Sequence, residues 1–242
     1  MRSNKFIVVS GGSGSIGREI VKFLIKKKYK IINIDKSKLN LRNVNNIICD
    51  LDDIDLLKEK IKILENKNFK KIFAFIHCAG TTIPGKSIDY NLNDWVKTLN
   101  VNLTSAFLIS QKVAKIIRKS NINGSIINIT SISANLAIPD SSAYNVSKAG
   151  LKQLTKSLAL DFAKYKIRVN CLSPGYTKSK MTKKSWKSKK LRKKRDNRMI
   201  LNRWAEANEY NQAILFMLEN SQSGYMTGSE ILIDGGWSAK GL

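Results

Sequence analysis

The chain has few of the residues that mark secreted, metal-binding or membrane-spanning proteins. Its three cysteines, Cys49, Cys78 and Cys171, have no C-x-x-C spacing and lie in apolar, strand-like contexts, which argues for reduced core thiols. No apolar run approaches the ~18 residues of a membrane span, and the first strand begins within about five residues of the start, which leaves no room for a signal peptide. We therefore expect a soluble, cytoplasmic protein with no metal site and no membrane contact.

Acidic residues are also scarce, since 18 Asp and Glu stand against 43 Lys and Arg and give a formal net charge of +25. Nearly half of that excess falls in segment 178–198, which has twelve basic residues and one Asp. Three interpretations are open: a solvated face, docking of nucleic acid or an acidic partner, or attraction of an anionic substrate by Lys183, Lys184, Lys187, Lys189 and Lys190. The solvated face is preferred, and a nucleic-acid partner is not expected.

No linker rich in proline, glycine or serine divides the 242 residues, so a single domain over 1–242 is expected. Short apolar runs alternate with segments of helical periodicity, which is typical of an α/β fold with a Rossmann-type, doubly wound parallel sheet. Only about ten residues separate the second and third strands, so a loop is expected in place of the usual crossover helix. The predicted strands are 6–10, 30–35, 46–49, 72–77, 124–130, 167–172 and 230–234, and the predicted helices are 15–28, 52–66, 93–119, 142–164 and 206–219.

A glycine-rich turn follows the first strand, with the sequence Ser-Gly-Gly-Ser-Gly-Ser-Ile-Gly over residues 10–17. Glycines at a strand-to-helix turn let the backbone approach a pyrophosphate, whose charge the helix N-terminus stabilises. Asp35 ends the second strand, where its carboxylate can accept hydrogen bonds from an adenosine ribose and would repel a 2′-phosphate. The pattern predicts NAD as the cofactor, although Lys36 could pair with such a phosphate and leaves NADP open.

A third pattern joins Ser131, Tyr144 and Lys148. Tyr144 and Lys148 lie four residues apart in a helical stretch and share one helix face, where the ammonium can favour the ionised phenol. Ser131 lies thirteen residues upstream of Tyr144, at the end of a strand, and could hold a substrate oxygen against that phenol. This is the geometry needed to move a proton on or off a carbinol.

Residues 10–237 resemble the classical short-chain dehydrogenase/reductase family. The turn 10–17 is similar to the family's T-G-x-x-x-G-x-G motif, with serine in place of the threonine and of the middle glycine. Asp50-Leu51 resembles the strand end that contacts adenine. His-Cys-Ala-Gly over 77–80 stands where the family has N-N-A-G, and the retained Ala-Gly pair keeps close backbone approach to the cofactor open.

Further motifs follow in the family's order. Asn-Val-Asn over 100–102 resembles N-x-N, and Pro-Gly at 174–175 with Ser179 resembles P-G-x-x-x-T, whose Ser179 keeps a hydroxyl. The stretch 225–236 resembles the C-terminal T-G and D-G-G signature. His77, the only histidine, is interpreted as a packed residue near the site rather than a proton carrier.

The resemblance implies an NAD(P)-dependent oxidoreductase that interconverts a secondary alcohol and a ketone. Tyr144 would act as the general base and Ser131 would steady the substrate oxygen. Lys148 would lower the pKa of Tyr144 and hold the ribose, while Asn102 would position a water that relays the proton. The residues implied to bind the cofactor are Gly11, Ser13, Ser15, Ile16, Gly17, Asp35, Asp50, Leu51, Ala79, Gly80, Tyr144, Lys148, Pro174, Gly175, Thr177 and Ser179.

The resemblance also implies a substrate lid over 176–204 and a homo-oligomer, typically a tetramer. The predicted helices 93–119 and 142–164 have surplus apolar residues that fit a subunit contact, namely Ala106, Phe107, Ile109, Leu151, Leu154, Leu158 and Phe162. The substrate is a small molecule, with a polar or sugar-like one favoured and an anionic one still open. Two alternatives remain. One is a 3-oxoacyl-acyl-carrier-protein reductase, which would generally use NADPH, and the other is a catalytically idle basic module that binds nucleic acid or a scaffold.

Overall fold

The computed structural model describes residues 5–69 and 71–240, and its centre is a seven-stranded parallel sheet. The strands are β1 (Phe6–Ser10), β2 (Lys30–Asp35), β3 (Val44–Ile48), β4 (Ile72–His77), β5 (Gly124–Ile129), β6 (Ile167–Pro174) and β7 (Glu230–Ile233). Their order across the sheet is β3-β2-β1-β4-β5-β6-β7, and every neighbouring pair runs parallel. The chain therefore has the predicted α/β fold with a Rossmann-type sheet.

Helices pack on both faces of this sheet. The α-helices of the described residues are α1 (Ser15–Lys26), α2 (Ile54–Lys60), α3 (Leu92–Leu99), α4 (Ser105–Ser120), α5 (Ser142–Phe162), α6 (Lys183–Lys187), α7 (Lys189–Asp196), α8 (Asn211–Leu218) and α9 (Asn220–Ser223), and α6 and α7 lie in the segment after β6. α2, α4 and α5 contribute to one hydrophobic core, and α1 and α8 contribute to the other. Along β1, Phe6 and Val8 belong to the first core and Ile7 and Val9 to the second, as the two-residue period of a strand requires. Burial on both faces explains the continuous apolar runs in the strands.

The predicted strands are confirmed, with ends that differ by at most two residues. The predicted loop between β2 and β3 is also confirmed, since the structure has no helix across 36–43. The side chain of Asn46 fixes this loop, because its Oδ1 accepts a hydrogen bond from the Leu39 amide at 2.9 Å and its Nδ2 donates to the Leu39 carbonyl at 3.2 Å. The buried Leu39 then fills the space beside the second core.

The predicted helix 93–119 is wrong in its middle. A π-helical turn, Asn100–Thr104, separates α3 from α4. Insertions of this type cluster at functional sites, because they turn a side chain or carbonyl out of the regular helical ladder. The turn contains Asn102, which places the irregularity at a predicted site residue. The predicted helix 52–66 is an α-helix only over Ile54–Lys60, capped by the Asp53 side chain, and continues as a 3-10 helix over Ile61–Glu65. The predicted helix 206–219 begins as a 3-10 helix over Ala207–Tyr210, and the remaining helices differ only at their ends.

The basic segment after β6 folds into the short helices α6 and α7, which the sequence did not predict. Trp186 packs against a cluster formed by Ile132, Met199, Trp204 and Trp237, so it anchors this segment to the body of the protein. Among the described residues, no helix is both long enough and apolar enough to cross a bilayer.

Candidate active site

Two adjoining cavities run along the edge of the sheet where the strands end. One has a volume of about 300 Å³ and the other of about 270 Å³, and Gly14, Cys78 and Gly80 line both. The first cavity lies beside the ends of β2 and β3 and the second beside the ends of β5 and β6. Together they form one trough, which we call the cofactor trough, and its place at the ends of the parallel strands suits a dinucleotide.

The glycine-rich turn forms the floor between the two cavities. Gly11 has a φ of +72°, and a Cβ there would lie 2.5 Å from the Ala79 backbone, so only glycine fits. A Cβ on Gly17 would lie 2.3 Å from the Gly11 carbonyl, which lets α1 begin directly against the turn. No described side chain caps the N-terminus of α1, so its first amides are open toward the trough. This cradle fits a pyrophosphate on a helix N-terminus.

Side chains at the end of β2 hold the turn in place. Asn33 Oδ1 accepts from the Gly12 amide at 3.0 Å, and Asp35 Oδ2 accepts from the Ser13 amide at 3.0 Å. The second Asp35 oxygen accepts from the Ser37 amide at 2.9 Å. The carboxylate is therefore fixed at the rim of the first cavity, which Lys36, Asp50, Leu51 and Ala79 also line. This position suits contact with an adenosine ribose.

The structure brings Ser131, Tyr144 and Lys148 together in the second cavity. Ser131 follows β5, while Tyr144 and Lys148 lie one turn apart on α5, with the Lys148 ammonium 5.8 Å from the centre of the Tyr144 ring. The Lys148 Nζ also donates to the Ile129 carbonyl at 2.8 Å, which fixes a side chain that is only 4% exposed. A hydroxyl, a phenol and an ammonium thus face one small space.

Burial dominates the pKa of Tyr144 in this structure. Desolvation raises the pKa of the Tyr144 phenol above its usual value, and hydrogen bonding to Ser131 offsets only part of that rise. Burial also lowers the pKa of Lys148 to about 8, since its ammonium has lost water without gaining a carboxylate partner. In the free protein the phenol therefore holds its proton. Further positive charge in the trough would be needed to ionise it near neutral pH.

Asn102 is the one predicted site residue that lines neither cavity. Its fully buried side chain accepts from the Thr81 amide at 2.7 Å and donates to the Thr81 carbonyl at 3.0 Å and to Ser147 at 2.9 Å. These bonds join the π-helical turn to the loop after β4 and to α5. Asn102 therefore does not face either cavity, but it fixes the position of Thr81 next to Gly80, which does.

His77 holds the main chain of Asn102. Its Nε2 lies 3.2 Å from the Asn102 carbonyl, and its Nδ1 lies 2.7 Å from the Ser10 hydroxyl. A carbonyl can only accept, so Nε2 bears the proton and Ser10 donates to Nδ1. Burial, together with the charge of Lys148, lowers the pKa of His77 to about 3, which keeps the ring neutral. The interpretation of His77 as a packed residue beside the site agrees with this geometry.

The buried His77 should make the protein less stable in acid. In the unfolded chain His77 binds a proton below its usual pKa of 6.5, whereas in the folded chain it binds one only below a pKa of about 3. The stability that is present above pH 6.5 is therefore lost as the pH falls. Between about pH 7 and about pH 5 this loss should reach about 2 kcal/mol. Urea unfolding of the parent and of His77→Asn at both pH values should show the steeper loss in the parent. Equal losses would contradict the neutral buried ring.

The segment after β6 completes the second cavity. Pro174, Gly175, Thr177 and Ser179, which were predicted to bind the cofactor, all line it. The Lys180 amide donates to the Ser15 hydroxyl at 3.0 Å, so the start of the basic segment is tied to the glycine-rich turn. Sequence reasoning missed further lining residues that have no motif signal of their own, namely Ser37, Thr81, Lys97, Val101, Ile129, Thr130, Met181 and Thr182.

The chain is similar to known oxidoreductases over nearly its whole length. A family model described as enoyl-(acyl carrier protein) reductase matches residues 12–238. A 3-oxoacyl-(acyl-carrier-protein) reductase of Thermotoga maritima is 31% identical, and the match covers 96% of this chain and 97% of that protein. The NADH-dependent L-xylulose reductase of Ambrosiozyma monospora is 30% identical over 96% of this chain and 94% of the relative.

The chain is also similar to solved structures of dehydrogenases. A 4-hydroxyisoleucine dehydrogenase complexed with NADH superposes with a TM-score of 0.93 at 29% identity, covering 98% of this chain and 100% of that one. A mutant of that dehydrogenase complexed with NADH and succinate has the same TM-score and identity, covering 98% and 99%. With the glycine-rich turn, the P-G segment and the Ser131, Tyr144 and Lys148 trio in one trough, the chain belongs to the short-chain dehydrogenase/reductase family and is an NAD(P)-dependent oxidoreductase that interconverts alcohols and ketones.

Proposed function

We propose that this enzyme interconverts a small, polar secondary alcohol and its ketone with NAD(H), and that Tyr144 transfers the hydroxyl proton. The observation that carries the proposal is the convergence of Ser131, Tyr144 and Lys148 on the cavity that the glycine-rich turn also lines. The similarity to a xylulose reductase and to a hydroxyisoleucine dehydrogenase supports polyols or hydroxy acids as the substrate class. A screen of sugar alcohols and hydroxy acids for NADH formation tests it.

The bound nicotinamide would supply the hydride acceptor or donor. In alcohol oxidation, the Ser131 hydroxyl holds the substrate oxygen while the Tyr144 phenolate takes the proton from it. Lys148, fixed by the Ile129 carbonyl, stands beside the phenol and the trough, where its ammonium would hold ribose hydroxyls. We assign Asn102 a positioning role. Its bonds to Thr81 and Ser147 hold the segment beside Lys148, where a water would relay the proton. Because the phenol is protonated in the free protein, the positive ring of the oxidised cofactor would contribute to its ionisation.

NAD should be preferred to NADP by more than about tenfold in kcat/KM, because the fixed Asp35 carboxylate would repel a 2′-phosphate. Steady-state kinetics with both cofactors should show this ratio falling by about tenfold or more in Asp35→Ser. Lys36→Gln is the matched control, since it removes the neighbouring cation at the same rim and should raise the ratio. A parent enzyme that prefers NADP would show that Lys36 decides the choice.

A 3-oxoacyl-acyl-carrier-protein reductase is the second candidate. The similarity to the Thermotoga maritima enzyme and the basic segment 178–198 favour it, because an acidic carrier would suit a positive rim. Asp35 weighs against it, since that rim carboxylate disfavours NADPH. Activity with acetoacetyl groups on the carrier protein, at a rate well above that with the free thioester, would establish this alternative.

We propose further that segment 176–204 acts as a substrate lid and that the enzyme is a cytoplasmic homotetramer. Of the apolar residues predicted for a subunit contact, Ala106, Ile109, Leu151 and Leu158 are instead buried within the chain. Ile109 and Leu158 belong to the first hydrophobic core, and Leu154 and Phe162 pack against it. Phe107 on α4 is 40% exposed and Leu160 on α5 is 81% exposed, so these two support a contact.

Light scattering at micromolar concentration should therefore give about four times 27.2 kDa. Phe107→Glu combined with Leu160→Glu should shift the mass toward smaller species, because a charge at each exposed position opposes burial against a second copy. Lys164→Glu, near the end of α5, is the control for added negative charge. A parent protein that runs as a stable monomer would contradict the assembly.

A further inference from the structure

The start of the basic segment is bonded to the glycine-rich turn through one side chain. The Lys180 amide donates to the Ser15 hydroxyl at 3.0 Å, and 165 positions of sequence separate the two residues. Ser15 is the first residue of α1, and both residues line the second cavity together with Gly14, Ile16 and Gly17. The contact therefore lies where the cofactor trough meets the proposed lid.

The Ser15 hydroxyl can still donate a hydrogen bond. A serine hydroxyl has one proton and can also accept, and here it accepts from Lys180 while its own proton has no acceptor among the described residues. The first turn of α1 has no acidic residue, so the positive potential of the helix N-terminus is not offset there. The family motif has glycine at this position, and glycine could make neither bond. The hydroxyl thus gives this chain a group that can bond to a phosphate and to the lid at once.

The Lys180 side chain is an unpaired cation that lines the same cavity. Lys178, two residues earlier, pairs with Glu206, whereas Lys180 forms no ion pair with a described carboxylate. The turn that contains Lys180 is closed by the Thr182 hydroxyl, which donates to the Thr177 carbonyl at 2.5 Å. An ammonium on such a turn, beside a helix N-terminus, suits a phosphate oxygen.

We propose that Ser15 and Lys180 form a latch that holds the start of the lid against the pyrophosphate of the bound dinucleotide. In that complex the Ser15 hydroxyl donates to a pyrophosphate oxygen and keeps its bond from the Lys180 amide, while the Lys180 ammonium contacts the same anion. The two bonds of the hydroxyl strengthen each other, because donation to an anion makes its oxygen a better acceptor. The inference goes beyond the alcohol–ketone chemistry and rests on the cofactor trough and the proposed lid.

The latch is weak in the free protein. The bond between Lys180 and Ser15 is exposed, so water competes for both of its groups and the bond alone contributes little to holding the lid. A bound pyrophosphate would strengthen it by accepting from the hydroxyl and by attracting the ammonium. Cofactor binding would thereby fix the start of the lid before any substrate arrives.

Hydrogen exchange, measured by mass spectrometry on peptides that contain Lys180, tests the latch in the full-length protein. ADP-ribose is the probe, because it has the pyrophosphate and lacks the nicotinamide, so that slower exchange cannot come from contacts to that ring. At saturation it should slow exchange at Lys180 about tenfold in the parent, whereas adenosine, which has no phosphate, should not. Ser15→Ala should show less than about twofold slowing at saturating ADP-ribose. Ser15→Thr should restore the parent's value, because it keeps the hydroxyl.

Two lysine variants separate the Lys180 ammonium from the general charge of the segment. Lys180→Gln keeps the main-chain bond and should weaken ADP-ribose binding by about fivefold in isothermal titration calorimetry. Lys183→Gln is the matched control, since Lys183 is exposed and lines neither cavity, and it should change the Kd by less than about twofold. Unchanged thermal midpoints show that the variants fold.

Three results would overturn the latch. They are a parent protein in which ADP-ribose does not slow exchange at Lys180, a Ser15→Ala variant that is slowed as much as the parent, and a Lys183→Gln variant that loses as much affinity as Lys180→Gln. None of these measurements uses a substrate. A protein that passes all of them and still oxidises no alcohol would contradict the proposed function and leave the latch in place, so the two failures are distinguishable.

Discussion

Replacing Tyr144 with phenylalanine should lower kcat by about two orders of magnitude or more while NADH still binds. The substitution keeps the ring and removes the hydroxyl, which is the group placed to exchange a proton with the substrate oxygen. Ser131 cannot replace it, because an aliphatic hydroxyl beside no base is a poor proton acceptor. Stopped-flow kinetics and NADH titration of the purified variant separate the rate from the binding.

Tyr165→Phe is the matched control for that experiment. Tyr165 lies beyond the end of α5, beside Arg118 rather than beside the trough, so its hydroxyl should not affect the rate. A Tyr144→Phe enzyme within threefold of the parent would rule out Tyr144 as the proton-transfer residue.

Lys148→Met should weaken NADH binding by about tenfold or more and lower kcat as well, since the ammonium faces both the phenol and the trough. The parent should also lose NADH affinity as the pH rises above about 8, because the Lys148 pKa is lowered to about 8 and the neutral amine donates weaker hydrogen bonds. Fluorescence titration of NADH across pH should show this loss in the parent and not in Lys148→Met.

Lys152→Met controls for loss of a cation from α5. Lys152 lies one turn further along and pairs with Glu230 at 2.5 Å, outside the trough. Its loss should reduce stability, because Glu230 would keep a partly buried charge without that partner. The pH dependence of NADH affinity should remain. A parent enzyme whose affinity is flat through about pH 8 would contradict the assignment to Lys148.

Those parts of the site that depend on local spacing could be predicted from the sequence. The turn 10–17 follows from glycines that no other residue could replace at Gly11 and Gly17. The i, i+4 spacing of Tyr144 and Lys148 predicts that both side chains lie on one face of a helix, and this prediction needs no tertiary contact. Asp35 follows from its place at the end of a strand in a parallel sheet.

Other parts depend on contacts between distant segments and have no local signal. The π-helical turn is held by hydrogen bonds from the Asn102 side chain to Thr81 and Ser147, and by the bond that His77 donates to the Asn102 carbonyl. The direction of the Tyr144 pKa shift follows from the depth of the cavity, which spacing does not reveal.

Isotope transfer tests the central claim most directly. The enzyme should reduce a small ketone with NADH that carries deuterium at both C4 positions of the nicotinamide, and mass spectrometry should find one deuterium on the carbinol carbon of the product. At equal concentration and time, Tyr144→Phe should give about one hundredth of that label or less. Oxidation of NADH without deuterium in the product, or full transfer by Tyr144→Phe, would contradict hydride exchange governed by this site.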